Sequence, residues 1–178
     1  MSAFNLTFSF KSPLIDYLAL FTRIIFLSTL FLFFIKSGIT KFDGFFTLSL
    51  GAYIQIFPKI FEALSYDPNQ LGVLYKFIAF VGAISELTLP ILIVFGFMTR
   101  ICAFSMLIFI VAMSVVDVFG HNIMPGIMFD GDPSGIIVDQ RLLWGLLFIN
   151  LIVLGGGKLS VDMWLAARFK YGLLRFIK

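Results

Sequence analysis

Four long apolar stretches, each near the roughly 20 residues that cross a ~30 Å hydrocarbon layer, order the chain. The pattern predicts spans over about 13–36, 71–98, 101–119 and 140–155. The first opens at Ser12-Pro13, a cap followed by a first-turn proline. It ends in Lys36-Ser37-Gly38 without a small-residue cleavage pattern, so it is expected to stay uncleaved. Thr99-Arg100 is too short a connection for anything but antiparallel neighbours, which places the second and third spans side by side. In the fourth, the uncharged stretch Leu142 to Gly157 covers 16 residues, or about 24 Å of helix. That falls short of the bilayer core, so Arg141 and Lys158 are expected to snorkel at its two ends.

Polar punctuation describes the rest. Between the first two spans, residues 43–65 are rich in aromatic and aliphatic side chains but broken by Gly44, Gly51 and Pro58 and flanked by Lys41, Asp43, Lys59 and Glu62. They predict one or two short helices lying in the membrane interface, followed by a Tyr66-Asp67-Pro68-Asn69 turn. Residues 120–139 form a turn-rich loop. Gly155-Gly156-Gly157 ends the fourth span, with Ser160 as the N-cap of a following helix. Over 160–178 apolar positions face Arg168, Lys170, Arg175 and Lys178, the pattern of a basic amphipathic helix on an anionic leaflet. The fold class is therefore all-α, a polytopic membrane protein built as a four-helix transmembrane bundle with an interfacial segment and a surface helix.

Composition agrees with this pattern. Of 178 residues 60% are hydrophobic and 13% charged, against about 25% charged in soluble domains, which excludes a water-soluble globule. The single cysteine, Cys102, excludes a disulfide scaffold and a thiol pair, and the single histidine, His121, argues against a haem held by two histidines or a His/Cys zinc site within one chain. A net charge of +3 is spread too thinly for a nucleic-acid stripe. The basic residues read instead as topology signals: Lys11, Arg100, Lys158, Arg168, Lys170, Arg175 and Lys178 fall on one side and Lys36, Lys41, Lys59, Lys76 and Arg141 on the other. The bias puts both termini on the cytoplasmic face of an inner membrane.

Charges inside the spans are the first candidates for chemistry, because each isolated one costs about 2.5–3.5 kcal/mol on insertion scales. Arg23 and Glu86 lie at depths of about 15 and 18 Å from the same face if the helices are straight, so they are expected to meet. Such a pair either locks the register of two helices or serves a proton or quinone site. Pro90 removes the amide that would bond the Glu86 carbonyl and predicts a kink beside the carboxylate. At the opposite face Lys36, Lys41, Asp117, His121, Asp139 and Arg141 gather; Asp117 and His121 are i and i+4 and would share a hydrogen bond on a continuing helix. Asp117, His121 and Arg141 are thus candidates for a quinone head group. His121, Met124 and Met128 are candidate soft ligands for Cu(I). Asp130-Gly131-Asp132-Pro133 lacks the rest of a calcium loop, and Gly155-Gly156-Gly157-Lys158 lacks phosphate-loop spacing.

The sequence resembles the DoxX family of small four-helix membrane proteins. The resemblance rests on Arg23, the exit Ser37-Gly38-Ile39-Thr40-Lys41-Phe42, the stretch from Glu86-Leu87-Thr88-Leu89-Pro90 to Gly96-Phe97-Met98-Thr99-Arg100, and the closing Gly155-Gly156-Gly157-Lys158-Leu159-Ser160-Val161-Asp162. It implies a membrane accessory or subunit of an oxidoreductase system. The family takes its name from a quinol-oxidising complex, and other members are associated with thiol stress or with small secreted copper-binding peptides. It brings no agreed catalytic residues, and this chain departs from shorter members in its aromatic 43–70 segment and its long 120–139 loop. The expected function is a quinone-linked accessory in which Glu86 exchanges a proton and Arg23 holds an anion. The alternatives are a non-enzymatic partner of a secreted copper-binding or thiol-stress protein, a small transporter, or a structural subunit; whether the chain is itself a catalyst stays open.

Overall fold

A computed structural model describes residues 13–44 and 46–176; Lys11, Ser12 and Lys178 lie outside it, and side chains are described up to Arg168. Helices dominate, and four of them are long and apolar enough to cross a membrane: Leu14–Ile39, Val73–Phe95, Thr99–Gly120 and Ile136–Leu154. The second and third spans are joined by a tight reversal. Gly96 takes a left-handed φ of 70°, its amide bonds the Ile93 carbonyl at 3.0 Å, and the Phe97 amide bonds the Leu92 carbonyl at 2.9 Å, which closes the second span and turns the chain at once.

Three boundaries differ from the pattern for local reasons. The second span ends at Phe95 and not near 98, because Gly96 turns the chain, and Thr99-Arg100, the expected connection, opens the third span. The first span reaches Ile39 and contains a wider π turn over Leu27–Phe31, where Ser28 and Thr29 donate their hydroxyls to the Ile25 carbonyl at 3.0 and 2.7 Å. The fourth begins at Ile136 rather than near 140, through a π turn over Ile136–Arg141; the Asp139 carboxylate accepts the Gly135 amide at 2.8 Å. Asp139 thus belongs to the helix start and not to the loop.

The core between the spans is a thin seam of Phe26, Phe34, Ile93, Met106, Phe148 and Leu151, with Phe26 and Phe148 edge to face at 5.6 Å. Outside it Phe21, Phe77, Phe104 and Leu143 stand more than half exposed, a surface that lipid and not water can cover. Gly38 lets the first and second spans close up, since a Cβ there would lie 2.5 Å from the Leu87 side chain. A second cluster of Tyr53, Phe61, Leu71 and Ala79 seats two short helices, Leu50–Ile56 and Pro58–Ala63, on the start of the second span. Pro58 is the first residue of the second short helix, so the break expected there is a joint between the two. Ser49 caps the first through the Ala52 amide at 3.2 Å and bonds the Lys41 carbonyl with its own amide at 2.9 Å.

Candidate functional site

The structure does not pair Arg23 with Glu86. Instead the Arg23 guanidinium donates to four main-chain carbonyls: Nε to Ile93 at 3.1 Å, Nη1 to Gly156 at 2.9 Å and Leu159 at 2.7 Å, and Nη2 to Val94. Ile93 and Val94 lie at the end of the second span, where no further helical turn supplies amide donors; the Gly96 amide reaches the Ile93 carbonyl, and Arg23 adds its own donors to both. The depth estimate set Arg23 level with Glu86, whereas its side chain reaches Ile93 and Val94, seven and eight residues further along the second span. Arg23 touches Ile93 while Gly38 touches Leu87, so fifteen residues of the first span correspond to six of the second. Nearby, the Asp162 carboxylate accepts the Met98 amide at 2.6 Å, the Thr99 amide at 2.9 Å and the Thr99 hydroxyl at 2.8 Å, capping the third span. Arg23, Gly96, the triple glycine, Ser160 and Asp162 therefore form one structural knot that ties all four spans to the terminal helix Val161–Phe176.

Glu86 is paired with Lys41, a residue the pattern had placed in the connection beyond the first span. The side chains are 1% and 5% exposed, and Lys41 Nζ also donates to the Ser37 hydroxyl at 3.1 Å and to the Ser37 carbonyl at 3.4 Å. The signal was present as the i, i+4 pair Ser37 and Lys41. It was missed because Lys41 lies two residues past the helix and enters the interior through the bridge of Phe42 to Leu48 that folds the loop back.

A second, partly buried pair joins Asp117 on the third span to Arg141 on the fourth, supported by Arg141 Nη1 on the Ser114 hydroxyl at 3.0 Å. Arg141 is buried, not snorkelling, because the fourth span starts before it. Its Nε is buried and has no hydrogen-bond partner among the described residues. The expected Asp117–His121 bond does not form. The third span ends in a π turn in which the His121 amide reaches back five residues to the Val116 carbonyl at 3.1 Å, so i and i+4 no longer align. His121 Nε2 lies 3.1 Å from the Gln55 carbonyl instead. Lys36 is exposed and stands apart from this group.

Both ion pairs line one cavity of about 330 Å³ between the first, second and third spans and the start of the fourth. Lys41, Glu86, Asp117 and Arg141 supply its charges; Phe33, Ile78, Gly82, Phe109 and Met113 supply apolar walls; Gln55 and Ile56 contribute from the short helix. Each carboxylate uses one oxygen in its pair. Glu86 Oε1 and Asp117 Oδ1 have no hydrogen bond among the described residues. Concave, apolar space with a few convergent polar groups is the form a small-ligand site takes.

The loop candidates fare differently. Residues 122–127 are not helical, so no helical turn gathers His121, Met124 and Met128, and all three are exposed, Met124 at 87%. No group of three or more His, Cys, Asp or Glu able to hold a metal occurs among the described residues.

Fold and site together define a small polytopic helical membrane protein with an ionic cavity between its spans. The chain belongs to the DoxX family, whose model matches residues 18–120. That segment contains Arg23, Lys41, Glu86 and Asp117; Arg141 and Asp162 lie beyond it. No curated protein and no solved structure matches the chain.

Proposed function

We propose that the protein is an accessory or subunit of a quinone-linked redox system of the inner membrane, and that its cavity holds the quinone ring. One observation carries this reading: a buried ion pair, Lys41–Glu86, and a partly buried one, Arg141–Asp117, face the same 330 Å³ of otherwise apolar space. An ion pair taken out of water adds little stability compared with apolar residues of equal volume, so two pairs on one cavity suit a ligand better than they suit the fold. The Arg141 guanidinium, whose Nε has no acceptor among the described residues, supplies a donor for a ring oxygen, while Lys41, its three donors taken by Glu86 and Ser37, holds Glu86 in place. Glu86 and Asp117, each with one oxygen free, exchange the protons that accompany the ring's redox change, while a partner redox protein exchanges the electrons. Arg23 has no part in this, being committed to four carbonyls.

Equilibrium titration of the protein in lipid nanodiscs with decyl-benzoquinone tests the reading. Wild type is expected to bind, and Glu86→Gln and Asp117→Asn each to bind at least tenfold more weakly, about 1.4 kcal/mol. Because leaving Lys41 unpaired strains the fold, the double variant Lys41→Met/Glu86→Met is the cleaner control; it should keep its helix content and lose binding. Unaltered affinity in all three variants would exclude the cavity as the site.

A further inference from the structure

Gly82 sits ten residues into the second span, where a glycine is less favourable than alanine. Membrane helices carry glycine where a neighbouring helix needs the room. Gly38 is such a case, with Leu87 at 2.5 Å from the position of an added Cβ. Gly82 is not: a Cβ there would meet nothing within 4 Å. The packing of this chain does not require the missing side chain, yet the space it leaves belongs to the cavity, where Ile78, Gly82 and Glu86 form one face of the helix at i, i+4 and i+8.

We propose that Gly82 determines which ligand the cavity accepts: it leaves a bare strip of helix against which a planar ring lies, with the ring's polar edge reaching Glu86. A second observation also points to a missing ligand. Arg141 lines the same cavity and its Nε is buried without an acceptor among the described residues, a state unfavourable unless a partner arrives. The ligand class is thus a flat ring carrying at least one carbonyl-type acceptor. The aromatic side chains of Phe33 and Phe109 on the cavity wall suit such a ring. The inference rests on the quinone-linked reading above.

The test compares wild type, Gly82→Ala, Gly82→Leu and, as a control for added bulk on the lipid side, Val81→Leu, in nanodiscs. Melting temperature and decyl-benzoquinone affinity are read together. Gly82→Ala should melt at or above wild type yet bind more weakly; Gly82→Leu should bind at least tenfold more weakly, and Val81→Leu like wild type. The loss in the alanine variant should be steeper for a tetramethyl-substituted ring than for a dimethyl one. If wild type and Gly82→Leu bind equally, the role of Gly82 is overturned while the quinone site stands. If wild type does not bind, the quinone site falls and this inference with it. If Gly82→Ala melts below wild type, the glycine serves packing and the inference is wrong.

Discussion

Asp162 and Arg23 show how single residues hold a bundle that has little core. Asp162 presents a carboxylate to the free amides and the positive end of the third span. Asp162→Ala should lower stability by about 1–2 kcal/mol, within the range for lost helix caps, seen as a lower melting temperature with the cavity ligand's affinity unchanged. Arg23→Lys keeps the charge but not the fork that reaches four carbonyls, and should destabilise more than the Asp162 variant in the same assay. Asp67, outside the spans, is held below its ordinary carboxyl pKa of 3.8 first by the Asn69 amide and then by the Gln70 side chain. A depressed carboxyl pKa stabilises the turn above the ordinary value, and the contribution is lost as pH falls through the lower, folded value. The protection factor of the Asn69 amide, its exchange rate relative to an unstructured amide at the same pH, should fall on acidification through that window, and Asp67→Asn should remove the dependence.

Among the elements, the first span decides the most. Its π turn at Leu27–Phe31 and the Gly38 contact bring its far end onto Leu87, beside Glu86, which is what delivers Lys41 into the interior. Gly38→Val forces the two spans apart at Leu87 and should both lower the melting temperature and weaken decyl-benzoquinone binding. That joint loss would distinguish it from the opposite signs expected at Gly82. The short helices have a simpler role. Their Tyr53, Phe61 and Leu71 cluster fixes them on the second span, and Gln55 then completes the cavity wall.

At the scale of the molecule, the positive residues Arg100 and Lys158 lie at the end of the bundle that carries the knot, and Lys41 and Lys59 belong to the other end. In a Cys102→Ala background, cysteines introduced at Lys158 and Lys59 report orientation: if the termini are cytoplasmic, as the bias of positive residues predicts, only the Lys59 position should react with an impermeant maleimide applied to intact cells.

The sequence by itself determined that there are four spans, that the second and third reverse within a few residues, that the triple glycine ends the fourth, and that charges at mid-depth must be partnered, because hydrophobic length, glycine turns and the cost of a bare ion in lipid are properties of short segments. Only the tertiary structure decided which charge meets which, and that the reversal after the second span falls at Gly96 and not at Thr99-Arg100. Arg23 finds carbonyls and Lys41 finds Glu86 because long side chains reach along the bundle and a loop folds back, and neither that reach nor the carbonyls of a helix end leave a mark in residue periodicity. Asp117 meets Arg141 and not His121 because a π turn shifts one residue of register. Such shifts, negligible along one helix, set the contents of a cavity that four segments share.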